Sequence, residues 1–208
     1  MEIKWINKKN NDKLIVFFNG WGMDENIISN LLFEDYDILS FFDYRNIKKI
    51  QIDLSNYKEK YLIAWSMGVY VCNFFYDEFK NFDKFIAING TQKPIDNNYG
   101  IPVEIYNMTI ERFNEQSCKK FISKISPQLN AEEYCKRTIS ELKEELISIR
   151  DLKIKDYFKF NKAFVSLKDR IIPAKNQINY WNKENIKIIE LDSNHYIFDN
   201  FKTWRELL

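Results

Sequence analysis

One histidine, His195, is all that 208 residues provide, so any chemistry that needs an imidazole base must use it. Charge of one sign is also missing. The 31 basic and 30 acidic residues leave a formal charge of +1, without the basic footprint that nucleic acid requires, and that partner class is excluded. No apolar run approaches the roughly eighteen residues that span a bilayer. The opening MEIKWINKKNNDK lacks the apolar stretch of a secretion signal. A cytoplasmic protein without a membrane partner is expected. Neither a P-loop nor G-x-G-x-x-G occurs, which removes the common nucleotide-binding modules. Cysteine is sparse: Cys72, Cys118 and Cys135 are widely separated, odd in number and free of CxxC spacing. Reduced thiols are therefore expected, with no metal site and no cofactor. Cys72, beside Val71 and Phe74, reads as a small buried hydrophobe. Internal repeats, linkers and low-complexity segments are absent.

What the chain does contain is apolar: 45% of its residues are hydrophobic and 16% aromatic. A chain of this length buries roughly 70% of its unfolded surface, enough for one domain over residues 1–208. Strands are expected at EIKWI (2–6), KLIVFF (13–18), YDILSFF (36–42), KYLIAW (60–65), KFIAIN (84–89), KAFVSL (162–167) and IKIIEL (186–191). Continuous apolar strands alternating with helical patterns predict an α/β fold, a mostly parallel sheet with helices on both faces. Between the fourth and fifth strands, MGVYVCNFFYDEF places Val69, Cys72, Tyr76 and Phe79 at helical spacing and predicts a buried helix. Residues 106–157 contain no convincing strand and read as an inserted helical cap. Its best helix is expected to start at Asn130, with Glu133 completing a capping box and Leu129 stapled to Tyr134. Tyr134, Thr138, Leu142, Leu146 and Ile149 then give that helix one apolar stripe.

Within this frame, Ser66 lies in A-W-S-M-G between two apolar runs. The pentapeptide differs from the G-x-S-x-G nucleophile elbow only at Ala64. Small residues at 64 and 68 let the strand-to-helix turn pack against its neighbours. A serine at a helix start also serves as a cap, so the motif alone leaves that alternative open. A nucleophilic serine needs a base, and His195 follows the last expected strand. The acid should fall between serine and histidine in chain order, which points to Asp169 in SLKDRIIP, with Asp192 as the rival. The loop after KLIVFF reads NGWGMD. Gly20 and Gly22 let it turn tightly, so that the amide of Trp21, with that of Met67, can form an oxyanion hole. Gly20, Trp21 and Trp65 are candidates to contact substrate.

NGWGMD, AWSMG, AINGTQKPID, YGIP and MTIERFNEQSCKKF, followed by KDRIIP and NHYIF, recur in an order that resembles the α/β-hydrolase family of BioG-type pimeloyl-acyl-carrier-protein methyl ester esterases. The likeness runs from about residue 13 into the middle of the cap and resumes at KDRIIP. It implies an α/β-hydrolase fold and an esterase of biotin synthesis. The partner would be an acyl-carrier protein bearing a pimeloyl methyl ester on its phosphopantetheine arm. It also implies Ser66 as nucleophile, His195 as base, Asp169 as acid, and the amides of Trp21 and Met67 as oxyanion donors. The sequence departs from the wider fold at Ala64 and at Asn19, where many such hydrolases have histidine. The cap carries Arg112, Lys119, Lys120, Lys124, Lys136 and Arg137 among Glu111, Glu115, Glu132 and Glu133. The cations are candidates to steer an acidic carrier, the mixture equally a solvated face. A general short-chain carboxylesterase or acyl thioesterase would need the same three side chains. A hydrolase-like protein that binds an acyl chain or partner without turnover is the alternative outside enzymes.

Overall fold

The computed structural model describes residues 1–208. Seven strands form one sheet: β1 (Glu2–Asn7), β2 (Lys13–Phe18), β3 (Tyr36–Phe42), β4 (Glu59–Trp65), β5 (Lys84–Ile88), β6 (Lys162–Ser166) and β7 (Lys187–Leu191). Their order is β1-β3-β2-β4-β5-β6-β7. All seven expected strands are present, with ends displaced by at most one residue. Only β1 runs antiparallel, against β3, and every other pairing is parallel. The central strands read as unbroken apolar runs because both faces are covered. Leu14, Val16 and Phe18 enter one core, and Ile15 and Phe17 the other.

The first core is closed by the segment after β4 and by α7 (Ala174–Lys183), which contributes Tyr180 and Trp181. The helix expected after β4 is not continuous. It runs as α1 (Gly68–Val71), a 3-10 turn (Cys72–Phe75) and α2 (Tyr76–Phe79). Asn73 Nδ2 donates to the carbonyls of Val69 at 2.8 Å and Tyr70 at 2.9 Å, where it competes with the helical ladder. The second core is covered by a 3-10 turn (Glu25–Ile28) and by the C-terminal segment, which lays Phe198, Trp204 and Leu207 against Ile15 and Phe17.

Between β5 and β6 lie α3 (Val103–Arg112), α4 (Glu115–Ile125), α5 (Ala131–Tyr134) and α6 (Ile139–Asp151). The single helix expected from Asn130 is divided. Asn130 does cap, accepting from the Glu132 amide at 3.1 Å, but the chain leaves the helix at Cys135 (φ −91°, ψ 49°). It restarts at Thr138, whose side chain and that of Glu141 form the capping box reciprocally. Cys135 is joined to Cys118 of α4 by a disulfide across 17 residues of sequence. The expectation of three free thiols is thereby corrected. Spacing motifs such as CxxC detect only local pairs, whereas here the fold of the insertion brings two distant cysteines to a Cα separation of 6.4 Å. Cys72 is free and buried, and burial pushes its thiol well above the usual range. No helix is long and apolar enough to cross a membrane.

Candidate active site

The turn from β4 into α1 has one geometry open to it. The Ser66 amide donates to Ile88 O at 2.8 Å, and Ser66 itself takes φ +56°, a left-handed conformation costly for a residue with a side chain. Gly68 follows because a Cβ there would lie 2.4 Å from Phe18 O. Ser66 Oγ is thus held out at the carboxyl end of the sheet, with the residue only 5% exposed.

His195 reaches this point from the loop after β7. Its carbonyl accepts from Trp65 Nε1 at 3.0 Å and from Asn89 Nδ2 at 2.8 Å, and Asn89 Oδ1 in turn accepts from the Ser166 amide at 2.7 Å. The ring is thereby set with Nε2 at 2.9 Å from Ser66 Oγ and Nδ1 at 2.7 Å from Asp169 Oδ2. Asp169 also accepts from the amides of Ile171 (2.8 Å) and Ile172 (3.0 Å) and from Gln177 Nε2 (2.8 Å). These three donors hold the carboxylate as an acceptor facing Nδ1. With the proton on Nδ1, the Nε2 lone pair faces the serine hydroxyl, the arrangement that lets imidazole act as base. The side chains of His195 and Asp169 are 1% and 0% exposed. Asp192 is 74% exposed and paired with Lys168 at 2.8 Å.

In the loop after β2, Asn19 ties both ends: Oδ1 accepts from the Gly20 amide at 2.9 Å and Nδ2 donates to Asp24 O at 2.6 Å. Gly22 occupies φ +77°, which a residue with a Cβ adopts only under strain. The amides of Gly20 and Gly22 are bonded, the latter to Glu145 Oε2 at 3.2 Å. Those of Trp21 and Met67 find no acceptor in the protein. Such unspent donors suit a charge that develops only during reaction.

A cavity of about 330 Å³ opens onto Ser66. Apolar residues from the body (Trp21, Met67, Ile171) and the insertion (Phe113, Phe121, Leu146) line it, together with the cations Arg112, Lys120, Lys124 and Arg170. Trp65 and Gly20 do not line it. Trp65 is fully buried against the His195 ring at 5.4 Å between centroids, and Gly20 packs on the Trp65 ring. Of the six cap cations, Arg137 is turned inward, 3.0 Å from Asp43 and 2.5 Å from Glu145. No group of three or more His, Cys, Asp or Glu side chains is arranged to hold a metal ion. Sequence reasoning missed Asn89 and Gln177. Nothing in their local pattern distinguishes them, because their partners lie 106 and 8 residues away.

The family profile described as "Pimeloyl-ACP methyl esterase BioG" matches residues 1–207. A malonyl-[acyl-carrier protein] O-methyltransferase of Bacteroides fragilis is 36% identical over 195 residues, 88% of this chain. The chain spans 39% of that protein's length. The crystal structure of BioG from Haemophilus influenzae superimposes with a TM-score of 0.88 at 31% identity, over 100% of this chain and 99% of the other. An esterase from Exiguobacterium antarcticum shares the fold, with a TM-score of 0.70 at 16% identity over 95% and 89% of the two chains.

Proposed function

The chain belongs to the pimeloyl-ACP methyl esterase family BioG, and from that premise we propose that it hydrolyses the methyl ester of a pimeloyl chain carried by acyl-carrier protein. Ser66, His195 and Asp169 carry the reaction as nucleophile, base and orienting acid. The observation that carries this proposal is the unbroken chain from Ser66 Oγ through His195 (2.9 Å) to Asp169 (2.7 Å) at the floor of an apolar cavity. In the first step Oγ attacks the ester carbonyl while His195 Nε2 takes its proton. The carbonyl oxygen becomes an oxyanion within reach of the Trp21 and Met67 amides. Collapse breaks the C–O bond to methoxide, which leaves as methanol with the proton held by His195. Water then attacks the acyl-enzyme, its proton passing to His195 and on to Oγ, and the acyl chain departs as a free carboxylate. Ester and water are consumed, and acid and methanol are formed.

The cavity suits such a chain. Burying about five methylenes at about 0.8 kcal/mol each contributes about 4 kcal/mol to binding. Lys120 and Arg112 beside the cavity suit an anionic carrier and the phosphodiester of its arm. The B. fragilis relative, an O-methyltransferase for an acyl-carrier-linked malonyl group, concerns the same class of bond, a methyl ester of a tethered diacid.

The test is methanol release from methyl pimeloyl-acyl-carrier protein and from a short free ester. Wild type is expected to favour the carrier-bound substrate. Ser66→Ala is expected to lose about 10⁶ in kcat and all labelling by a fluorophosphonate. A wild type faster on the free ester would indicate a general carboxylesterase. Absence of both turnover and labelling would leave only a binding protein.

A further inference from the structure

We propose that Glu145 is a positioning residue through which the helical insertion fixes the oxyanion loop; this rests on the hydrolytic function above and adds a member to its machinery. Glu145 stands on α6, in the insertion, yet it is 0% exposed. Its Oε2 accepts from the Gly22 amide at 3.2 Å and from Arg137 Nη2 at 2.5 Å, and its Oε1 accepts from the Tyr44 amide at 3.0 Å. One turn earlier on the same helix, Leu142 O accepts from Trp21 Nε1 at 2.9 Å. Residues 142 and 145 therefore grip the Trp21 side chain and the next amide in the chain. The Trp21 amide between these two ties has no protein acceptor.

A buried carboxylate is a poor choice for adhesion alone. Its desolvation is costly unless donors surround it, and an apolar side chain in the stripe of Leu142, Leu146 and Ile149 would pack without that cost. The donors that do surround it are two backbone amides of the body and one guanidinium of the insertion. Arg137 is itself anchored by Asp43, whose Oδ1 lies 3.0 Å from Nη1. Asp43 takes φ +52° at the end of β3 and is held by Arg45. The carboxylate thus sits where two loops of the body and the insertion meet, and one of those loops presents the oxyanion donor. A displacement on the order of 1 Å at a reacting centre costs about 100-fold in rate.

Glu145→Gln keeps the shape but offers a single acceptor oxygen, so its NH2 faces either the Tyr44 amide or the Gly22 amide and Arg137, and one body loop loses its acceptor. On a short ester, its kcat is expected to fall about 100-fold with KM within about twofold. The rate of fluorophosphonate labelling should fall in step, since charge develops on the phosphoryl oxygen as it does on the ester. Ile149→Val, a core change on the same helix away from the loop, is expected to leave kcat within about twofold of wild type. Amide hydrogen exchange should accelerate at Gly22 or Tyr44 in Glu145→Gln but not in Ile149→Val, a readout independent of turnover. Should Glu145→Gln fail to fold, Glu145→Asp retains the charge for Arg137 while withdrawing the acceptor from Gly22, and the same kcat loss with unchanged KM is expected. An active wild type with kcat unaltered in the folded Glu145 variant, or with only KM raised, overturns the role of Glu145. So does unchanged exchange at both Gly22 and Tyr44. A wild type that neither turns over an ester nor reacts with the fluorophosphonate overturns the hydrolytic function instead, with the exchange result still deciding whether Glu145 holds the loop.

Discussion

Two aspartates compete for one imidazole in sequence, and hydrogen-bond donors separate them in space. Asp169 accepts from three donors and meets His195 Nδ1 at 2.7 Å, while Asp192 faces water beside Lys168. If Asp169 orients the base, Asp169→Asn should lower kcat by about 10⁴, and Asp192→Asn should leave it within about twofold. Steady-state rates on a short ester check this, and the reverse ranking would make Asp192 the acid. A second residue tests the buried ion cluster. Burial by itself would raise the Asp43 carboxyl, but hydrogen bonds from Arg45 and the charge of Arg137 outweigh it and hold it below the usual carboxylate range. A carboxyl depressed in the folded state contributes stability above its unfolded pKa and loses it as pH falls through the folded value. Asp43→Asn should therefore cost about 3 kcal/mol at pH 7, with the gap to wild type closing as the pH falls through the depressed value of Asp43. Urea midpoints of both proteins across pH measure it, and a constant gap would show that the charge of Asp43 is immaterial.

At the scale of elements, the strands follow from their own composition and the insertion does not. LIVFF and LIAW have no polar position to leave exposed, so burial on both faces is written into them. The insertion has competing local signals. Asn130 and Thr138 each carry a side chain able to begin a helix, and a stripe of apolar residues runs past both. The Cys118–Cys135 bridge accompanies the break between them. Closing a loop of this length by a disulfide contributes about 3 kcal/mol, chiefly by restricting the unfolded chain. Reduction by a dithiol is expected to lower the thermal midpoint and to speed proteolysis between residues 126 and 138, with Cys118→Ser reproducing both effects. A reduced protein with an unchanged midpoint would show that the bridge adds nothing to the insertion's stability.

Across the whole molecule, a formal charge of +1 conceals an uneven distribution, because Arg112, Lys120, Lys124 and Arg170 gather around one cavity. Exposed charges steer an anionic partner over about 10 Å at moderate salt and are screened at about 1 M. Raising the ionic strength should lower kcat/KM for a carrier-bound ester several-fold and leave a short neutral ester unchanged. Charge reversal at Lys119 and Lys120 should act in the same direction. Equal losses on both substrates would indicate damage to the site rather than to docking.

The sheet, the elbow at Ser66 and the place of the only histidine are legible along the chain, because each depends on neighbours within a few residues: apolar runs, small side chains at 64 and 68, and a loop after the last strand. Tertiary structure alone decided which aspartate meets His195, that Trp65 supports the histidine from beneath, that Cys118 reaches Cys135, and that Glu145 lies buried against a loop 123 residues away. These four depend on partners supplied by distant segments. Local pattern cannot encode such partners, since the hydrogen bond or disulfide that joins each pair exists only once the chain has closed.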